Sequence, residues 1–418
     1  MIRRTLNLYN DRDSITELPE ALANTLRKER LVTASGNKAS YCGLVLSKDE
    51  VSVFFPRKYS IDSSLMSKNK SISLLMGAIR KYHNIHNSGL AYFEDGDRVL
   101  GGDSLSLISE ILEDYKRNGI YSRRRTIRTR NTGKPDWKRT ISKITPFKSA
   151  DNLIYLDYHG AKRRYESDCE VARIHAFIVK TLDEEFSVFL ESNSVYLHDG
   201  IPAPVLKNTE YLLIKLCSEL KDVYSDRDIR LLKLLIKYLE QEKGSDETET
   251  LFGIKHFHSV WEYMLGQVLA HTVNLNSKLP IPAYRSKDGN LVSAAAKGQR
   301  MDTVIKHPSK EIFNVVDAKY YNATSISNSP GWPDLVKQFF YAKALKLIYP
   351  NSTVTNSFIF PGTDGCWASA HMKERSSGAI LDLEYEPINC VYVDPLQVIE
   401  SFVHSKKLNE LSAQLLEE

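Results

Sequence analysis

Five cysteines in 418 residues, at positions 42, 169, 217, 366 and 390, are odd in number and widely spaced, and no Cys-x-x-Cys pair occurs. That excludes a disulfide framework and a cysteine-built zinc site, and leaves buried thiols in a reducing compartment as the reading. No apolar run approaches the ~18 residues that a membrane span needs. The opening MIRRTLNLYNDRD lacks the apolar core of a signal peptide. A cytoplasmic protein without membrane association is expected. The string Gly-x-x-x-x-Gly-Lys-[Ser/Thr] is absent, so the chain is not itself a P-loop NTPase. No Gly-x-Ser-x-Gly supports a serine nucleophile. His256 and His258 form a His-x-His with no further ligand at zinc spacing. A surplus of one charge is also missing. The 56 Lys and Arg against 52 Asp and Glu leave +4, which neither demands nor excludes a nucleic-acid partner.

What is present is an ordinary globular composition, 42% hydrophobic and 26% charged, long enough for two to three domains. YCGLVLSKDEVSVFFPRKY reads as two strands around a turn at Lys48-Asp49-Glu50. Helical spacing marks SLLMGAIRKYHNIH and Leu107–Tyr115, the latter with Asp103 or Ser104 available as N-cap. It also marks Val171–Leu182 and Asp228–Glu242. Lys243–Thr250 is polar, charged and aperiodic, and is the best domain boundary. The division is therefore 1–250, a mixed region for DNA or partner contact, and 251–418. Within the first part lies a dense basic stretch: Arg123, Arg124, Arg125, Arg128, Arg130, Lys134, Lys138 and Arg139, with Asp136 the only acid among them. Such a run makes a strong local positive field. Trp332 and Trp367 read as core or lid positions.

The chemistry-bearing pattern follows the boundary. FHSVWEYMLGQVLAHTV reads as an amphipathic helix with a wide apolar stripe, and Glu262 falls at its rim. RMDTVI and EIFNVVDAKYY read as a hairpin turning at Lys306–Lys310. In its second strand Phe313, Val315, Asp317 and Lys319 share a face by the period of two. A hairpin centred near Pro308-Ser309 pairs Asp302 with Val315, diagonal to Asp317 at ~7–8 Å on the same face. A slip of one residue would send Asp302 to the other face. Two acids and a lysine on one patch suit phosphodiester hydrolysis. Two carboxylates hold Mg²⁺ while leaving it positions for water and phosphate. The cation activates water, and the lysine positions that water and offsets negative charge. The helix that follows, DLVKQFFYAKALKLIY, adds Gln338 and Tyr341, while Lys337 and Lys343 read as solvating its outer face.

Glu262, then Asp302, then Asp317-Ala318-Lys319 resembles the PD-(D/E)xK nuclease superfamily. The first motif here is Arg300-Met301-Asp302, without the proline, and Gln338…Tyr341 resembles a pattern found after the Asp-x-Lys. Gly133-Lys134-Pro135-Asp136-Trp137-Lys138-Arg139-Thr140-Ile141 resembles a segment of LlaJI-type restriction endonucleases and McrC-like nuclease subunits. The resemblance implies an α/β fold (α+β overall) with a restriction-endonuclease-like core of mixed sheet and flanking helices at 251–418. It implies a restriction endonuclease acting on double-stranded DNA with Mg²⁺ or Mn²⁺. Asp302, Asp317, the Ala318 carbonyl and Glu262 would serve the metal, Lys319 the water, and Gln338 a secondary role. It further implies a separate McrB-like AAA+ GTPase motor and DNA methyltransferases in the same system. The alternatives are a nuclease of recombination, repair or transposition, and a non-catalytic DNA-binding or assembly protein.

Overall fold

The computed structural model describes residues 5–47, 49–59, 65–87, 99–149, 152–186, 208–244, 250–295 and 298–417. It is a mixed α/β protein in two compact units: one joins the chain up to Gly102 with the chain from 247 onward, and the other takes most of what lies between. The polar stretch Lys243–Thr250 predicts a single division, near 250. The first hundred residues nevertheless belong with the last third, because the strand Thr250–Ile254 inserts between Cys42–Leu46 and Val99–Leu100. Gly43 and Gly253 face each other in that ladder. A Cβ on Gly43 would lie 2.2 Å from the Phe252 carbonyl oxygen, and its φ of +144° suits only glycine.

In the first unit, Thr5–Asn10 and Glu50–Phe55 extend this sheet to five strands over a core of Leu22, Leu26, Tyr41 and Phe54. The expected strand pair around residues 48–50 is present as Cys42–Leu46 and Glu50–Phe55, with Lys48 outside the described residues. A second five-stranded sheet runs Thr303–Lys306, Ile312–Ala318, Thr353–Pro361, Ile388–Val393 and Ser369–Ala370. Its first pair is the antiparallel hairpin, and the next two pairings are parallel. Phe313 and Val315 pack with Ala342 and Leu345 of the helix Trp332–Ile348. On the opposite face the Asn314 amide donates to Thr355, Ser357 and the Leu415 carbonyl. Ile312–Ala318 is thus buried on both faces, as a central parallel strand is.

The second unit packs the helices Gly102–Asn118, Glu170–Phe186, Thr209–Asp222 and Asp226–Gly244, with Ile111, Ile174, Ile178, Leu216 and Leu231 buried. The first of these begins at Gly102, so Asp103 and Ser104 lie inside its first turn instead of capping it, and the Ser104 hydroxyl donates to Gln241. Thiol burial is mixed: Cys42 and Cys169 are buried, while Cys217 and Cys366 are exposed. Trp332 is exposed too, against the core reading, because it opens its helix at the surface. Among the described residues no helix is long and apolar enough to cross a membrane.

Candidate active site

The hairpin forms with a register two residues away from the expected one. Val304, not Asp302, faces Val315, and Thr303 faces Val316. One step further along, Asp302 stands opposite Asp317. An even slip preserves the face, so the carboxyls meet directly and not across a diagonal. They share a hydrogen bond. Burial, then the charges of Glu262 and Asp317, raise the Asp302 carboxyl to about 8. Asp302 still reaches solvent, so the desolvation comes from the protein walls around a concave site. Asp317, behind it, is 7% exposed.

Lys319 continues the strand line, its backbone N–H donating to the Ile359 carbonyl. Its ammonium lies 2.8 Å from Asp317 and 2.6 Å from Asp334, above the Phe358 ring. Burial pushes its pKa down, but the two carboxylates overcome this and the net shift is upward. Asp334 had no place in the sequence reading. An acid in a helix's first turn looks the same in sequence whether it faces solvent or a buried lysine.

Glu262 comes from the helix Phe257–Val268, which ends five residues earlier than its apolar pattern suggested. Beyond it the chain bridges Leu408 and Ile305 and takes φ +58° at His271, adding backbone hydrogen bonds to the hairpin edge. Glu262 and Asp302 line one cleft of about 810 Å³ with Arg300, Lys337 and Tyr341. Lys337 therefore faces this cleft, where its charge suits a phosphate, instead of merely solvating the helix. Tyr341 donates to the Arg300 carbonyl at 2.6 Å. Burial, then Asp302 and Asp317, raise its hydroxyl pKa.

Gln338 lies on the same helix face, one turn from both Asp334 and Tyr341. It is fully buried, and both polar atoms of its amide lack a hydrogen-bond partner. An orphaned buried amide is costly unless water or a ligand satisfies it. Among the described residues no three His, Cys, Asp or Glu side chains are grouped as a ready-made metal site. A divalent cation nonetheless fits Asp302 and Asp317: their hard oxygens are forced together, and Mg²⁺ is usually held by one or two carboxylates with water and phosphate completing its shell.

The basic segment, in the second unit, folds into a ribbon. Arg123–Arg130 pairs antiparallel with His159–Glu166, and Lys134–Pro135 adds at the other side. The partner strand contributes Lys162, Arg163 and Arg164, which the sequence reading overlooked although they form a run. By the ladder, Arg124, Arg128, Arg130 and Arg163 share one face, and Arg123, Arg125, Lys162 and Arg164 the other. All but Arg123 are exposed. Arg123 at the base pairs with the buried Glu219, Arg125 with Glu166 at 3.4 Å and Arg130 with Asp157 at 2.6 Å. Lys138 and Arg139 sit on the short helix Trp137–Lys143, capped by Asp136.

A solved structure, the refined half-complex from the tetradecameric assembly of Thermococcus gammatolerans McrB AAA+ hexamers with bound McrC, contains a chain to which this one is similar. The TM-score is 0.41 at 12% identity, covering 96% of this chain and 99% of that one. The Type II restriction enzyme BsuMI component YdjA of Bacillus subtilis (strain 168) is 25% identical over 384 residues, covering 88% of this chain and 81% of that protein. The model of the LlaJI restriction endonuclease family matches residues 41–368, a span that holds the acid–lysine patch and the basic ribbon alike. The chain belongs to the LlaJI restriction endonuclease family, and nuclease activity is what that membership implies.

Proposed function

We propose that this chain is the metal-dependent DNA endonuclease of a restriction system, with a PD-(D/E)xK core. The observation that carries the reading is the direct opposition of Asp302 and Asp317 on one sheet face, with Lys319 against Asp317. A cation held by these two carboxylates and the Ala318 carbonyl would supply Lewis-acid stabilisation of the phosphate and a lowered pKa for water. The chain's own residues do the rest. Lys319, kept charged by its carboxylates, donates toward developing negative charge and orients the attacking water. Arg300 and Lys337 hold backbone phosphates in the cleft. Gln338 is satisfied by a water of the site. Mn²⁺ takes the same oxygen set.

Glu262 stands at the cleft rim, so it supports the water shell and does not ligate directly. Glu262→Gln is expected to slow cutting about 10-fold, within the range for such outer contacts, and much less than Asp317→Ala does. Abolished cutting together with lost Mn²⁺ binding would make Glu262 a direct ligand.

The partner reading is a separate McrB-like AAA+ GTPase motor, with DNA methyltransferases protecting the host's own sites. The support is the Gly133–Ile141 resemblance, the absent P-loop in this sequence, and the naming of the Bacillus relative as one component of a restriction enzyme. Robust site-specific cutting by the purified chain alone, without nucleotide, would contradict it. The ribbon is the proposed docking surface. Neutralising Arg124, Arg128 and Arg163, three exposed residues of one face, is expected to abolish stimulation of the motor's nucleotide hydrolysis. DNA affinity and its salt dependence should stay as they were. If the ribbon instead lies on duplex DNA, the slope of log affinity against log salt flattens by about 0.9 per lost phosphate contact.

A further inference from the structure

We infer that Asp334 is a positioning residue for Lys319: it holds the ammonium in place when Asp317 is engaged elsewhere. The inference rests on the nuclease reading above. A lysine whose side chain is 12% exposed needs counter-charge. It has two, Asp317 at 2.8 Å and Asp334 at 2.6 Å. They are not equivalent. Asp317 shares a hydrogen bond with Asp302 and belongs to the carboxylate pair assigned to the metal and phosphate. Any cation drawn to that pair competes with Lys319 for the Asp317 oxygens. Asp334 has no part in the pair. It sits in the first turn of the 17-residue helix Trp332–Ile348, where the helix dipole favours an anion. The Tyr321 hydroxyl also hydrogen-bonds to it. The Phe358 ring, fully buried, lies under the ammonium at 5.7 Å. Strand, helix and ring thus surround the lysine, and of its two carboxylate contacts the one to Asp334 is independent of what Asp317 binds.

The test compares wild type with Asp334→Asn, Asp334→Glu and Lys319→Ala. It measures steady-state cleavage of plasmid DNA with the nucleotide-hydrolysing partner present, DNA affinity without cleavage, Mn²⁺ affinity and melting temperature. Asp334→Asn is expected to lower kcat by about 10- to 100-fold, with KM, DNA affinity and Mn²⁺ affinity unchanged. Asp334→Glu should recover part of the rate, since a carboxylate is restored with a longer reach. A merely structural Asp334 would move kcat and KM together with the melting temperature, and glutamate would not rescue it. Wild-type kcat in Asp334→Asn, beside a dead Lys319→Ala, overturns this inference and leaves the nuclease reading standing. Loss of Mn²⁺ affinity in Asp334→Asn would make Asp334 a metal ligand and also overturns it. Full activity of Lys319→Ala overturns both.

Discussion

Asp317→Ala and Lys319→Ala are each expected to lower DNA cleavage at least about 1,000-fold, the scale of ~4 kcal/mol of lost transition-state stabilisation. Both substitutions remove charges that work together, so the double variant should be scarcely worse than either single one. The fold should survive. In Asp317→Ala the lysine keeps Asp334 as its counter-ion at 2.6 Å. In Lys319→Ala both Asp317 and Asp334 lose their ammonium partner, but Asp317 keeps its hydrogen bond with Asp302 and Asp334 keeps that with the Tyr321 hydroxyl. Cleavage rates should be read beside circular dichroism and thermal melting. If both variants fold and cut at the wild-type rate, the acid–lysine patch is not the active site.

Glu219→Ala is expected to destabilise the second unit by about 3–5 kcal/mol, the usual cost of breaking a buried charge pair from one side. The Glu219 carboxylate is 6% exposed and accepts from both the Arg123 guanidinium and, at 2.8 Å, the Tyr121 hydroxyl. Removing it strands two donors at the base of the basic ribbon. Burial pushes the Glu219 carboxyl up, but the Arg123 and Tyr121 hydrogen bonds outweigh that, and its pKa lies below the ordinary value. The sign of the linkage follows. A depressed folded-state pKa contributes stability that is complete above the ordinary glutamate value of about 4.3. That stability is lost as pH falls through the lower folded value. Wild type should therefore lose stability with acid below pH ~4 more steeply than Glu219→Gln does. Denaturant melts of the two proteins at pH 7 and pH 3.5 would show it. Identical pH dependence would remove Glu219 from its anchoring role.

Local pattern made the centre of the site legible. Asp317 and Lys319 stand in a seven-residue strand, Ile312–Ala318, and the residue just past it, and the period of two puts them on one face whatever the strand pairs with. The register of Asp302 was harder to read, because the five-residue turn between Lys306 and Ile312 is centred one residue later in the chain than the sequence suggested. The patch survived because the discrepancy was even. Asp334 was not legible at all: its meeting with Lys319 depends on where the helix Trp332–Ile348 docks, which no spacing encodes. The ribbon was half legible. Arg123–Arg139 announces itself by charge, but Lys162–Arg164 joins it only through pairing across some forty residues. The union of the first hundred residues with the last third was hidden for the same reason. A five-residue strand, Thr250–Ile254, chooses its neighbours from far upstream.

Cleavage of supercoiled plasmid, followed as magnesium is titrated against EDTA, tests the proposed chemistry most directly. It should be run with the nucleotide-hydrolysing partner present, on wild type and on the Asp302→Asn/Asp317→Asn double variant. The account predicts cutting by wild type that rises with Mg²⁺, is replaced in kind by Mn²⁺, and vanishes with EDTA. The double variant should stay inert at every metal concentration while still binding DNA. Cutting that persists in EDTA, or cutting by the double variant at the wild-type rate, would contradict it.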